Sequence, residues 1–320
     1  MTTRPTRPLD VGASLEPPAI PRLTRYTHED RHRIDAALRA GEIVRLRAGV
    51  FGAPVSGLSP GLRVRAHVLQ HVAAAAERIE TDFWFSHETA AVLWGLWTWH
   101  LAEKVHLTQL GNPSVQRTRE PKVVRHWTGL PARDRAVVNG LPVTSLERTA
   151  VDCARTLRPG PALVAVDAAL RKRANPQVIT QILEESRGKR GVVQARDVVG
   201  HATPHSESPG ESVVRWAALD AGLRPPTTAI PVVTDRGRFW VDLGWEDLKI
   251  GIEFDGEEKY SGKYGDPADV RRRERLRQEA LEREGWIIIR FRWEDFEDLD
   301  TVVEALRAAI RRRRATTQPR

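Results

Sequence analysis

The hydrophobic pattern of the last third of the chain changes period several times, and each change marks an element. Ser208-Pro209-Gly210-Glu211 opens a helical run through Ala221; Ser before Pro is the start signal and Gly222 the stop. Phe239-Trp-Val-Asp-Leu-Gly-Trp and Leu248-Lys-Ile-Gly-Ile-Glu-Phe are rich in β-branched and aromatic residues. Split by a tight turn at Glu246-Asp247, they predict a β-hairpin. Asp266-Pro267 begins a long charged helix that runs to Glu284 and stops at Gly285. Trp286 to Phe291 is an apolar run of the kind buried in a sheet. The predicted order is helix, strand, strand, strand, helix, strand, helix.

Earlier in the chain the pattern is mixed. Residues 1–21, rich in Pro and Arg, are expected to be disordered. Thr27 three before Asp30 resembles a capping box and starts a helix to about Ala40, with Ile34, Ala37 and Leu38 on its apolar face. Glu42 to Phe51 follows as a hairpin turning near Gly49. Helices are predicted over 62–81 and, with Ser86 as N-cap, over 88–96; Leu93, Trp94, Leu96, Trp97 and Trp99 make an aromatic cluster of the core type. Residues 103–142 alternate like strands. Thr144 three before Glu147 reads as a capping box for a helix to about Leu157, and three more helices are expected over 161–173, 176–186 and 192–202. His201 to Ser208 is a polar linker. The expected organisation is a disordered 1–21, a small helix-hairpin unit over 22–57, an α+β domain over 58–204, an α/β mixed-sheet domain over 205–310 and a basic tail over 311–320.

Length and composition narrow the class. The 320 residues suffice for two or three domains, and 41% hydrophobic against 29% charged content fits a globular chain. The start has no apolar stretch of the signal-peptide kind, no run is long enough to span a membrane, and the cytoplasm is the expected compartment. The single cysteine, Cys153, excludes an internal disulfide and lies in an apolar helical pattern, as a packed core thiol does. Net charge is +8 and uneven: residues 1–204 carry 29 Lys and Arg against 19 Asp and Glu, while 205–320 carry 21 against 23. A basic surplus made mostly of arginine favours a polyanion partner, nucleic acid first. A high-GC codon bias accounts for the same composition.

The chemistry-bearing residues concentrate in the hairpin. Glu253 and Asp255 are two apart, so both point to one face of a strand, and Asp242 on the partner strand can reach the same edge. Glu211, in the first turn of the preceding helix, can join them. Carboxylates that converge repel unless a cation neutralises them, which predicts a metal site; the competing reading is a set of solvated strand-end acids. Five arginines after Pro267, Arg271 and Arg272 among them, suit phosphate beside such a cation or simply a solvated helix face. Arg117, Arg119, Lys122 and Arg125 form a basic stripe. His28-Glu29-Asp30-Arg31-His32 spells H-E-x-x-H, but no third-ligand spacing follows, and it is set aside. His67 and His71, four apart, fit a partly exposed helix face better than a metal.

Glu in a first helix, Asp on a strand and Glu-x-Asp-Gly on the next resembles the PD-(D/E)XK nuclease superfamily, and more closely the very-short-patch-repair endonuclease-like domains. The matching segments are Ser208-Pro-Gly-Glu211-Ser, Val241-Asp242-Leu, Ile252-Glu-Phe-Asp-Gly256 and Glu284-Gly-Trp-Ile-Ile-Ile-Arg290. The resemblance implies a restriction-endonuclease-like mixed sheet flanked by helices. It implies Mg²⁺ held by Asp242, Glu253 and Glu211, with Asp255 completing the ligand shell and Lys259 supplying the catalytic cation. The superfamily usually places Lys two after the Glu, where this chain has Asp255. Glu42 to Phe51 with its helix is similar to the end of a winged helix-turn-helix of AbiEi-type antitoxins, with Arg45 and Arg47 as wing residues on DNA phosphate. Ser86-His-Glu-Thr-Ala-Ala and Leu141-Pro-Val-Thr-Ser-Leu-Glu-Arg-Thr-Ala-Val-Asp resemble the AbiEi C-terminal region, which implies a cognate toxin or self-repression.

Overall fold

The computed structural model describes residues 15–25, 30–77, 79–111, 122–255 and 267–317, with the backbone alone for 267–271 and 317. The fold is mixed α/β with three sheets, and the chain divides into two compact units, 11–202 and 203–320.

The first unit begins with β1 (Thr24–Arg25), α1 (Arg31–Arg39), β2 (Val44–Arg47) and β3 (Val50–Gly52), a three-stranded sheet in the order β1-β3-β2. α1 buries Ile34 alone, and Gly49, at φ +73°, makes the tight turn between β2 and β3. Helix α2 (Pro60–Ala76) starts at a proline and buries its second half. A five-stranded sheet follows, ordered β6-β5-β4-β8-β7, from β4 (Trp84–Phe85), β5 (Val105–Gln109), β6 (Val123–Trp127), β7 (Arg135–Val138) and β8 (Leu141–Thr144). Asn139 and Gly140 both take positive φ, the backbone a two-residue hairpin between β7 and β8 demands. Phe85, Leu93, Leu107 and Val143, all fully buried, join this sheet to α2 and to α3 (His87–Leu93). Burying each such side chain is worth roughly 1.5–3 kcal/mol. Helices α4 (Leu146–Thr156), α5 (Pro159–Arg171), α6 (Pro176–Glu185) and α7 (Val192–His201) complete the unit.

Two expectations are corrected here. The cap of α4 is Ser145, which accepts from the Arg148 N–H at 3.2 Å; Thr144 is the last residue of β8 and its hydroxyl bonds Thr149. Glu147 accepts instead from the Asn175 N–H at 3.0 Å. Residues 15–21, expected to be disordered, lie on the unit: Leu15 is 1% exposed, and the Pro18 carbonyl accepts from Asn139 Nδ2 at 2.8 Å. A single buried leucine and backbone carbonyls do the holding, features that a Pro- and Arg-rich composition hides.

The second unit runs α8 (Pro209–Asp220), β9 (Thr227–Thr234), β10 (Gly237–Trp245), β11 (Ile250–Phe254), α9 (Pro267–Arg283), β12 (Ile287–Phe291) and α10 (Leu299–Thr317). The sheet order is β12-β11-β10-β9, antiparallel except for the parallel pair β11–β12. The Ser208 side chain caps α8 by accepting from the Glu211 N–H, and Gly222 and Gly285 end α8 and α9 at φ +69° and +81°. One core, of Ile230, Val232, Val241, Leu281 and Trp286, joins α9 to the sheet. The expected basic tail is also corrected: residues 311–314 continue α10, and Arg313 Nη2 donates to the Lys249 carbonyl at 3.1 Å. No helix among the described residues is long and apolar enough to cross a membrane.

Candidate functional sites

In the second unit, α8 comes against β11 through Gly210. A Cβ there would sit 2.5 Å from the Phe254 ring, so only glycine lets the first turn approach. Phe254 in turn stacks on Phe296 and meets Trp293 edge-on. This contact fixes Glu211, which is 4% exposed. Its carboxylate accepts from the Glu207 N–H at 2.8 Å and from the Ser208 hydroxyl at 3.0 Å. Burial, then the charge of nearby Asp242, pushes the Glu211 carboxyl well above the usual carboxylate range.

Glu253 belongs to a different arrangement. It is 3% exposed and sits between two guanidinium groups, with Arg277 Nη1 at 2.7 Å from Oε1 and Arg290 Nε at 3.1 Å from Oε2. The Arg277 contact is an ion pair off the line of a hydrogen bond, so Oε1 keeps an unfilled acceptor position. Asp255, at the end of β11, has Arg290 Nε 3.9 Å from its carboxylate. The sequence places Arg290 there through the β11–β12 register, in which Glu253 pairs with Arg290.

The four acids are therefore brought together as two sets, Glu211 with Asp242 and Glu253 with Asp255. Among the described residues, no three of them bring one carboxylate oxygen each within 4.8 Å of one another. The physical reason lies in β10. Pairing with β9 passes from Val241–Ile230 to Leu243–Thr228 and skips Asp242 and Ala229, where Ala229 has φ +52°. A Cβ on Gly251 would meet Val241 Cγ1 at 2.8 Å, so Val241 is what β10 offers on the Gly251–Glu253 face. The carboxylates as arranged, with two arginines on Glu253, do not fit the oxygen cage a Mg²⁺ ion needs. Lys259 lies outside the described residues. Of the arginines on α9, Arg272 is exposed and the side chain of Arg271 is not described.

On the β2–β3 hairpin, Arg45 is exposed and its Nε lies 3.4 Å from the Arg47 carbonyl; Arg47 is half-buried. His67 and His71 do face one group, but it is Glu103, whose Oε1 is 3.6 Å from His67 Nδ1 and 3.4 Å from His71 Nε2. Cys153 is fully buried, and burial raises its thiol pKa well above the usual value, which suits a core thiol and no nucleophile. Trp94 is core-packed with its Nε1 donating to the Thr144 carbonyl at 2.9 Å.

Sequence reasoning missed a cluster of three histidines in the first unit. His87 begins α3, His106 lies on β5 and His126 on β6, and one nitrogen of each falls within 4.8 Å of the others. β5 and β6 are parallel, and His106 pairs with Val124, two before His126, so both imidazoles leave one face. No local spacing in the sequence signals this; the strand register sets His106 and His126, and the start of α3 beside β5 adds His87. His106 Nδ1 is 3.1 Å from His126 Nε2, and the His87 ring stacks on His126 at 3.8 Å between centroids. Burial holds all three imidazoles below their ordinary pKa, His106 to about 3.

Residues 87–201, from α3 to α7, match the AbiEi antitoxin C-terminal domain family. Over most of its length, the chain is 30% identical over 271 residues to "Uncharacterized protein MT2308" and "Uncharacterized protein Rv2248" from two strains of Mycobacterium tuberculosis, covering 81% of this chain and 89% of each relative. The chain belongs to the family of these mycobacterial proteins, and its residues 87–201 are similar to the AbiEi antitoxin C-terminal domain. The crystal structure of the RV2827C protein from the same species shows a likeness at a TM-score of 0.33 and 15% identity, over 62% of this chain and 72% of that one.

Proposed function

We propose that this protein is a DNA-binding regulator of the antitoxin type, in which the central domain engages a toxin and the β2–β3 hairpin engages DNA phosphate. The supporting observation is the match of residues 87–201 to the AbiEi antitoxin domain, within a basic half of the chain that presents Arg45 on an exposed hairpin. Arg45 and Arg47 are the wing residues, with Arg272 and Arg271 as a second basic patch on α9. Binding through phosphate releases counterions, so affinity falls with salt. In gel shifts on the gene's own promoter, Arg45→Ala with Arg47→Ala weakens binding and lowers the slope of log K against log salt by about 1–2. Equal shifts and equal slopes for the two proteins sink the wing.

A second reading, hydrolysis of DNA phosphodiesters by the C-terminal unit, rests on one observation: a buried Glu211 beside Asp242, two acids that a cation would reconcile. In this reading Asp242, Glu253, Asp255 and Lys259 are the catalytic group, and the arginines on Glu253 must give way first. The chain should then nick plasmid DNA with added Mg²⁺, and Asp242→Asn should abolish nicking. Full nicking by Asp242→Asn, or none by the wild type, leaves the regulator reading alone.

A further inference from the structure

We propose that His87, His106 and His126 form a binding site for one transition-metal dication of the imidazole-seeking class, zinc foremost, inside the AbiEi-like domain. The inference goes beyond the regulator reading and does not depend on it. Three imidazoles from α3, β5 and β6 converge with a nitrogen of each inside a 4.8 Å circle. The closest pair, His106 Nδ1 and His126 Nε2, is 3.1 Å apart. Two imidazole nitrogens on one tetrahedral ion, each about 2.0–2.1 Å from the metal, stand roughly 3.3–3.4 Å apart. Two ligands are thus already near their bound separation.

The surroundings supply what a metal-bound imidazole needs behind it. His106 Nε2, the nitrogen away from His126, is 3.9 Å from Glu88 Oε2, too long for a hydrogen bond but close enough to set a negative charge behind the ligand. His87 Nδ1 is 2.9 Å from the Ser86 hydroxyl, which leaves Nε2 as its available nitrogen. His87 is also held at φ +53°, an unfavourable backbone for a residue with a Cβ, at the first position of α3. Its ring lies stacked on His126 at 3.8 Å between centroids, so the proposed ligation requires the His87 ring to turn out of that stack. Soft thiolate ligands are absent from the set and carboxylates are one shell away, which selects zinc, nickel, cobalt or copper over magnesium or calcium. The competing account is a metal-free stack in which one neutral histidine donates to another.

The test uses the full chain without a histidine tag, stripped with chelator and titrated with Co²⁺, then with Zn²⁺. One equivalent of cobalt should bind per chain with the intense visible bands of low coordination, and zinc should displace it and raise the melting temperature. His106→Gln and His126→Gln should each remove the bands, and Glu88→Gln, which removes the nearby negative charge, should weaken binding. His67→Gln, at the separate pair facing Glu103, should change nothing. Should a ligand variant fail to fold by circular dichroism, X-ray absorption of the zinc-loaded wild type decides, with three imidazole ligands expected. The absence of stoichiometric binding, or binding unchanged in both folded glutamine variants, or fewer than three imidazoles at the zinc, overturns the proposal.

Discussion

In the first unit Arg148 lies between two buried carboxylates; in the second, Glu211 lies beside another carboxylate. Arg148 Nε donates to Asp152 at 2.9 and 3.0 Å and Nη1 to Asp134 at 3.1 Å, with all three residues 5% exposed or less. Burial alone would lower the Arg148 pKa, but the two acids hold it above its ordinary value. Glu211 is as deeply buried, yet its partners are a backbone N–H, a hydroxyl and the repulsive charge of Asp242. Burial pushes the Asp152 carboxyl up as it does that of Glu211, but at Asp152 the neighbouring guanidinium opposes the rise, whereas at Glu211 the neighbouring carboxylate adds to it. The Arg148 ion pairs hold α4 against the turn that leads into β7. Frustration marks a place where a ligand's charge could change the balance, and it is the ground on which the hydrolytic reading stands.

The comparison breaks most sharply at Arg148. Arg148→Met leaves Asp134 and Asp152 buried without their main cation, a loss of about 3–5 kcal/mol. Urea unfolding of the two proteins measures it. A loss under about 1 kcal/mol would mean that water or Arg155, 3.8 Å from Asp152, already does the compensating.

Glu211→Gln acts in the opposite direction. A carboxyl whose pKa is raised in the folded state binds more protons folded than unfolded, between the ordinary carboxylate value and the raised one. Stability from this group is therefore fully present below the ordinary value and is lost as pH rises through the folded one. Glutamine removes that loss, and the variant should be more stable than wild type at neutral pH by about 0.5–2 kcal/mol. The advantage should vanish near the ordinary carboxylate pKa. Thermal unfolding across that pH range checks it, and an advantage independent of pH would assign the effect to packing. Repeating the melt with Mg²⁺ sharpens the comparison, because a bound cation would stabilise the wild type and leave the variant unmoved.

What was legible in the sequence follows the same divide between local and long-range causes. The order of elements in the second unit rests on Ser208, Gly222 and Gly285, whose cap and positive-φ roles are decided within a few residues. The face of Asp242 was read from strict alternation on a straight strand, and the skipped pairing with Ala229 removes that premise. Arg277 and Arg290 reach Glu253 from α9 and β12, so their neutralising role needed the tertiary fold. The three histidines show no motif spacing for a related reason: the parallel β5–β6 register brings His106 and His126 together, and His87 reaches them from the start of α3, where the Ser86 N–H donates to the His106 carbonyl.

The smallest expected effect sets the zero of the comparison. Arg275 and Glu279 pair at i,i+4 on α9 at 2.9 Å, as their spacing predicts, but the side chains are 82% and 42% exposed. Water screens such a pair, and both long side chains lose rotamer freedom when they meet. Arg275→Ala should therefore remove only about 0.3–0.5 kcal/mol, roughly a tenth of the Arg148 effect. The loss should shrink further at high salt, because the attraction between exposed charges is screened within a Debye length. Urea unfolding at low and high ionic strength reads both numbers. A salt-independent loss above about 1 kcal/mol would assign Arg275 a role in packing, and geometry alone would then no longer separate the decorative ion pairs of this chain from those that hold it together.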